Sequence, residues 1–271
     1  MNTSYFVVPV FNEAENVSRV LGDLENFQAL VRQQGYQSRI LIIDDGSNDG
    51  TAEMFEKAGR SDLTVVRHPV NKGPGAAFET AFSHLLQNGV RAEDLVITLE
   101  GDATSDPQIF PRMMKRLVEG DDLILASPYL YGGGFCQVES FRLFLSHMAN
   151  GLFKMILGVR GLATFSCFFR IYRGSALLKL KAYCPDAIIS SAGFECAAEV
   201  ILKAVRIGLS ISEVPFLVDW SRRRGKSKMK IVKTSMGYFR LFAKFYSWPG
   251  NVVPAKLPAP APIPLPRQET V

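Results

Sequence analysis

Short apolar runs alternate with longer stretches in which apolar residues recur every three or four positions, through the first hundred residues. YFVVPV (5–10), RILIID (39–44), LTVVRH (63–68) and LVITLE (95–100) read as strands. After the first, Asn12, Glu13, Ala14, Glu15 and Asn16 open a helix with an acidic first turn, whose Val17, Val20, Leu21, Leu24 and Phe27 share one face. Thr51–Ala58 and a glycine-led stretch, Gly73–Gly89, are the next two helices. This alternation predicts βαβ units: an α/β chain with a mainly parallel central sheet flanked by helices. The second half is less regular. DLILASP reads as a strand before a glycine loop, YGGGF; CFFRIYR and ISEVPFLVDW read as strands; Ser140–Ile156, Ser190–Gly208 and Lys228–Ser247 have helical spacing. Six prolines between Pro254 and Pro266 predict an extended or disordered tail.

Composition narrows the class. With 47% of its 271 residues apolar, the chain can bury a sizeable core as one large domain or two small ones. No apolar run reaches the roughly 18–20 residues that span a bilayer, and acidic residues interrupt the start before a signal-peptide core develops. The expectation is a soluble or peripheral protein with reduced cysteines (Cys136, Cys167, Cys184, Cys196), and His68, His84 and His147 lack zinc-ligand spacing. The net charge of +5 is concentrated: nine Lys/Arg lie from Arg222 to Lys244, with no acidic residue between Asp219 and Glu269. That block predicts anionic partners, phosphates or an anionic membrane surface. No nucleic-acid recognition element surrounds it, so nucleic acid is not expected. Helical spacing sets Lys226, Lys230, Lys233, Arg240 and Lys244 against Val232, Met236, Phe239, Phe242 and Tyr246. Such a helix can lie on a membrane or pack its apolar face on the domain.

Chemistry concentrates at two strand ends. DDGSNDGT places Asp44 and Asp45 where carboxylates of an open α/β sheet face the ligand crevice; they can accept hydrogen bonds from a base N–H or ribose hydroxyls. LEGDATSDP places Glu100 and Asp102 two apart, hard oxygen donors suited to Mg²⁺ or Mn²⁺ on a diphosphate. In NKGPGAAF, Lys72 and Gly73 precede a helix that can receive phosphate, or whose glycines serve close backbone packing. Arg142, Ser146 and Asn150 share a helix face that can hold an acceptor phosphate or a structural pair. RRRGKSK (222–228) reads as a phosphate-closing loop, or as a solvated basic run.

Together these motifs resemble the family-2 glycosyltransferases, in particular the dolichyl-phosphate mannosyltransferase-like branch. VPVFNEAEN, DDGSNDGT, EGDATSDP and RRRGKSK stand in that family's order over about residues 4–230. The resemblance implies a GT-A nucleotide-diphospho-sugar transferase fold over residues 1–228, followed by a basic amphipathic helix (229–250) and the proline-rich tail (251–271). It implies an inverting, metal-dependent transfer of a hexose from a GDP- or UDP-sugar to a polyprenyl (dolichyl or undecaprenyl) phosphate, on the cytoplasmic face of a membrane. Pro9, Asn12, Glu13, Asp44, Asp45, Ser47, Lys72, Gly73, Arg222, Ser227 and Lys228 would bind the nucleotide sugar. Glu100 and Asp102 would hold Mg²⁺ or Mn²⁺, Asp102 being also catalytic. Arg170 would be catalytic and would bind the acceptor phosphate, with Arg142, Ser146 and Asn150.

The chain departs from the family pattern at Glu100 for the usual first Asp, Thr104 where some relatives have a ligating Gln, Pro128 where relatives often carry Arg, and Thr164 and Phe168 where many have Asp and Gly. The alternatives are a same-fold transferase with a saccharide or small-molecule acceptor, which needs a general base, and a non-catalytic nucleotide-sugar-binding or membrane-scaffold protein.

Overall fold

The structure is a computed structural model that describes residues 1–137, 151, 161–225 and 231–248. Its first half follows the expected alternation. Strand β1 is Thr3–Val10, helix α1 Val17–Gln33, β2 Gln37–Asp44, α2 Thr51–Lys57, β3 Leu63–Arg67, α3 Pro74–Gln87 and β4 Leu95–Thr98. Strands β3, β2, β1 and β4 lie side by side and parallel. Strands β1, β2 and β4 are largely buried, which is why their runs are almost continuously apolar, whereas the edge strand β3 is only half-buried. Val7, Leu41, Ile43 and Val96 enter one core with α3; Phe6, Val8, Ile40, Ile42 and Ile97 enter the other with α1.

Two helices escaped the sequence reading. Helix α4, Phe110–Val118, starts among prolines, yet Phe110, Met113, Met114 and Leu117 bury one face. Helix α5, Gly174–Tyr183, follows directly on a strand, because Gly174 lets the chain turn hard against the Arg91 carbonyl. Around them the sheet continues with β5, Leu123–Ser127, β7, Arg170–Arg173, and β8, Ile211–Pro215. The full order is β3-β2-β1-β4-β7-β5-β8, with β7 antiparallel to both neighbours. The expected glycine loop YGGGF contains a short strand, β6, Gly134–Cys136. It pairs with β9, Leu217–Asp219, so ISEVPFLVDW is two strands in different sheets, split at Phe216. Helix α6 runs Cys196–Arg206, shorter than expected, because residues 190–195 form a loop over α3. Helix α7 spans Ile231–Ser247. The expected helix at Ser140–Ile156 and the proline-rich tail lie outside the described residues, apart from residue 151.

One surface network ties α1 to β3. Asp62 accepts from Arg60 Nε (3.1 Å) and Nη2 (3.0 Å) and from Gln28 Nε2 (2.5 Å). The Arg60 hydrogen bond, offset in part by burial and aided by Gln28, holds the Asp62 carboxyl at about 2. A lowered carboxyl stabilises the fold above the unfolded value of about 3.9, and that contribution disappears as pH falls from about 4 toward 2. With the side chain 30% exposed, the contribution is discounted to about 1–2 kcal/mol. Asp62→Asn should therefore lower unfolding free energy by that amount at pH 7, and the difference should vanish near pH 2. Urea titrations at both pH values check it.

Candidate active site

The expected crevice lies where β1, β2 and β4 end side by side. Loops after β1 and β2 interlock: Asn12 N–H donates to Ser47 Oγ (2.9 Å), Asn48 N–H to Asn12 Oδ1 (2.9 Å), and Glu13 N–H to Thr51 Oγ1 (2.8 Å). Asn12 holds φ +52°, a left-handed conformation in which Asn is among the more tolerant residues. Glu13 is buried and accepts from Asn16 Nδ2 (2.6 Å). Burial alone would raise the Asp49 carboxyl; the Thr51 hydroxyl and the Ala14 and Thr51 N–H groups outweigh it and hold Asp49 down. Pro9, Asn12, Glu13, Asp44 and Ser47 are thus gathered at one edge of the crevice, with Asp44 Oδ1 accepting from Ser47 N–H (3.2 Å).

Asp45 does something else. It is 3% exposed. Its Oδ1 lies 2.7 Å from His68 Nδ1 and accepts from Lys72 N–H (2.9 Å); its Oδ2 accepts from Gly73 N–H (2.7 Å). His68 Nε2 in turn meets Thr80 Oγ1 at 2.9 Å. The expected phosphate place at the start of α3 is therefore filled by the chain's own carboxylate. The Ala192 carbonyl closes it further, taking the Gly75 N–H at 2.9 Å and lying where a Gly73 side chain would be. Asp45, Lys72 and Gly73, expected to bind the nucleotide sugar, are joined here to one another through the Lys72 and Gly73 N–H groups.

The turn after β4 carries the acidic pair. Gly101 is pressed on β1, where an added Cβ would stand 2.5 Å from the Pro9 carbonyl oxygen, and Ala103 takes φ +62°. This tight turn brings Glu100 Oε2 and Asp102 Oδ1 each to 2.6 Å from the Thr104 hydroxyl. One hydroxyl has one proton, so it satisfies only one of the two oxygens at a time. Phe168 N–H donates to Glu100 Oε1 (3.2 Å). Burial first, then the Asp102 charge, push the Glu100 carboxyl up; Thr104, Phe168 N–H and Arg223 pull the other way. Two convergent carboxylates in an enclosed turn, sharing one proton donor, have the chemistry of a cation site. They fit Mg²⁺ or Mn²⁺, which takes one or two carboxylates and completes its shell with water and phosphate oxygens. Among the described residues no third His, Cys, Asp or Glu joins them.

The basic segment lies against this turn. A short helical turn, Trp220–Arg222, is capped by Asp219, which accepts from Ser221 N–H (2.9 Å). Arg222, the expected diphosphate clamp, instead forks onto Asp23 of α1, Nη2 meeting both carboxylate oxygens at 2.8 Å, and Arg222 Nε donates to the Ala103 carbonyl (3.1 Å). Its neighbour Arg223 reaches the acidic pair, Nη1 lying 3.2 Å from Asp102 Oδ2. Sequence reasoning missed Asp23 and Arg223: three consecutive arginines carry no mark of which one turns inward. Ser227 and Lys228 lie outside the described residues.

Arg170 is 2% exposed. Its guanidinium donates to the carbonyls of Cys167 (2.7 Å) and Phe165 (3.3 Å) and to the Tyr172 hydroxyl (3.3 Å). Arg170, expected to be catalytic and to bind the acceptor phosphate, here fastens the 165–167 loop to the sheet. Glu213 of β8 fastens the same loop, accepting from Ala163 N–H (2.6 Å) and Thr164 N–H (2.8 Å). Phe168 stacks on Phe78 at 4.9 Å. Arg142, Ser146 and Asn150 lie outside the described residues.

Comparison with known protein families matches residues 5–180 to Glycosyl transferase family 2. The chain belongs to that family. It is a glycosyltransferase with a GT-A fold. It is 28% identical over 226 residues to polyprenol monophosphomannose synthase of Mycolicibacterium smegmatis, covering 82% of this chain and 79% of that one. It is 29% identical over 225 residues to undecaprenyl-phosphate mannosyltransferase of Micrococcus luteus, covering 82% and 86%. Among solved structures, glucosyl-3-phosphoglycerate synthase of Mycobacterium tuberculosis, in complex with Mn²⁺, UDP and glucosyl-3-phosphoglycerate, superposes with a TM-score of 0.62 at 17% identity, covering 91% of this chain and 79% of that one. At that identity the likeness concerns the fold.

Proposed function

We propose that this transferase moves a hexose, with inversion, from a GDP- or UDP-sugar to a polyprenyl phosphate. The observation that carries the reading is the Glu100–Asp102 pair on its tight turn, facing Arg223 across the crevice mouth. Pro9, Asn12, Glu13, Asp44 and Ser47 would line the nucleoside end, and Glu100 with Asp102 would hold Mg²⁺ or Mn²⁺. When bound there, the cation supplies Lewis acidity that offsets the charge left on the departing diphosphate. Arg223 adds a second positive charge on the same side, and Ser227 and Lys228 complete the basic segment.

The acceptor class follows from what the 162–168 loop offers. Thr164 is buried, Phe168 stacks on Phe78, and Arg170 and Glu213 are committed to holding the loop. A lipid phosphate brings an oxygen that is already anionic, so it attacks without a general base. The names of the polyprenol- and undecaprenyl-phosphate relatives support the same acceptor. The test is a panel of nucleotide sugars against lipid-phosphate, saccharide and small-molecule acceptors, read by released nucleoside diphosphate. Release that requires a polyprenyl phosphate is the expected result; release with a saccharide, or binding without turnover, contradicts it.

Helix α7 supports a place at an anionic membrane surface. No described helix is long and apolar enough to cross a bilayer. The helix docks by Leu241, 1% exposed, with Tyr238, Phe242 and Phe245 against the core and Arg206 over the Phe245 ring at 4.5 Å. Phe242 therefore follows the packing alternative left open for this face. Met236, Phe239 and Tyr246 remain 52%, 67% and 67% exposed, with Arg240 and Lys244 also exposed. Each basic residue near an anionic surface contributes about 1 kcal/mol, screened by salt, and inserted apolar side chains add a salt-insensitive part. Met236→Glu with Phe239→Glu should lower binding to phosphatidylserine liposomes at least about tenfold with an unchanged melting temperature. Co-sedimentation beside a melting curve checks it, and undiminished lipid binding contradicts it.

A further inference from the structure

Asp102 has both carboxylate oxygens engaged within the chain. Oδ1 receives the Thr104 hydroxyl at 2.6 Å and the Thr104 N–H at 3.3 Å, and Oδ2 faces Arg223 Nη1 at 3.2 Å. The two side chains are only 10% (Arg223) and 18% (Asp102) exposed. Arg223 is brought there by its neighbours. Arg222 is forked onto Asp23, with Asp106 also 3.8 Å from its Nη1. Arg224 is held through its backbone, its N–H donating to Asn16 Oδ1 (2.9 Å) and its carbonyl accepting from Asn16 Nδ2 (3.0 Å). Asp23 and Asn16 both belong to the start of α1 or the turn before it, so the segment is fastened on both sides of residue 223. The middle guanidinium is delivered to the β4 turn as a built part of the site.

A cation at the Glu100–Asp102 pair would need Asp102 oxygens that Arg223 and Thr104 now hold. We propose that Arg223 is a positioning residue of this site: its guanidinium is the resident counter-charge of Asp102 in the nucleotide-free protein, and a divalent cation gains Asp102 by displacing it. The proposal rests on the metal reading of Glu100 and Asp102. It gives the segment a function that the motif alone does not show. Occupation of the acidic pair is coupled to release of an arginine that stays tethered beside the place where the donor's diphosphate arrives. The free site keeps Asp102 paired, and the same positive charge becomes available to the donor once the cation has replaced it.

The experiment titrates Mn²⁺ into the nucleotide-free full chain and reads unbound Mn²⁺ by electron paramagnetic resonance. Arg223→Gln, which removes the competing charge, should bind Mn²⁺ about tenfold more tightly than the wild type. Arg223→Lys keeps a charge but loses the fork, and should fall between, about threefold tighter. Arg224→Gln changes net charge equally at an exposed side chain and should match the wild type to within about twofold. Equal or weaker Mn²⁺ binding by Arg223→Gln overturns the proposal, and so does equal tightening by Arg224→Gln. If Arg223→Gln does not fold, by melting curve, a lysine variant no tighter than the wild type overturns it. Wild-type chain with GDP or UDP present separates the two readings. Failure to retain Mn²⁺ there removes the metal site and this proposal together; retention, with Arg223→Gln unaltered, removes this proposal alone.

Discussion

Asp102→Asn should lower sugar transfer by at least about a hundredfold, roughly 2.7 kcal/mol of barrier, while the fold persists. Asparagine is nearly isosteric and can still accept from the Thr104 hydroxyl and N–H that contact Oδ1. What disappears is the negative charge beside Glu100 and the partner of Arg223. A hard cation then keeps one carboxylate, and the departing diphosphate loses the positive charge that would stabilise it. Chelator should abolish the wild-type rate and Mg²⁺ or Mn²⁺ restore it. Steady-state release of nucleoside diphosphate, beside a melting curve, checks both parts. A variant with near-normal turnover, or full wild-type activity in chelator, contradicts the role given to this pair.

Asp45→Ala should cost about 3–5 kcal/mol of stability, more than any turn residue of the DDGS motif would if its role were local. The side chain is buried and satisfies two backbone N–H groups, those of Lys72 and Gly73, besides facing His68. Alanine removes the partner of all three, His68 buried and the two N–H groups part-buried. Each orphaned donor costs about 1–3 kcal/mol. The loop it holds also carries the start of α3 and the contact to Ala192, so the crevice wall would loosen with it. Asp45→Asn, whose amide oxygen can retain part of the network, should lose less. Chemical denaturation of the three proteins orders them; equal stability of Asp45→Ala and the wild type would return Asp45 to the role of a ligand-facing carboxylate.

That contrast shows what was legible in the sequence. The two strand ends and their acidic clusters could be read directly, because a fully buried parallel strand leaves a continuous apolar run and the carboxylates follow it at once. The pair Asp44–Asp45 could not be divided between ligand and scaffold. Both are 3% exposed, and only the return of the chain at residues 68–75 gives Asp45 its partners His68, Lys72 and Gly73. The same limit applies to Arg222 and Arg223, whose directions are set by the Asp219-capped turn and by Asp23, a residue two hundred positions away in the chain. Helices α4 and α5 are obscured for local reasons: prolines near the first, and a single glycine, Gly174, as all that separates the second from the strand before it. In helix α7, Met236, Phe239 and Tyr246 are exposed together with Arg240 and Lys244, while Tyr238, Leu241, Phe242 and Phe245 face the core. Phe242 packs on the core while Phe239, three residues earlier, is exposed, a division governed by what the domain presents to the helix.

The most direct test of the proposed reaction is the product itself. Purified chain would be incubated with GDP-mannose or a UDP-hexose, undecaprenyl phosphate and Mg²⁺, and the lipid fraction analysed by mass spectrometry, with the anomeric configuration read by NMR. The account predicts a lipid phosphate heavier by one hexose residue, formed one for one with nucleoside diphosphate and carrying the sugar inverted relative to the donor. Hexose appearing only as free sugar or on a non-lipid acceptor, or a lipid product with retained configuration, would contradict it.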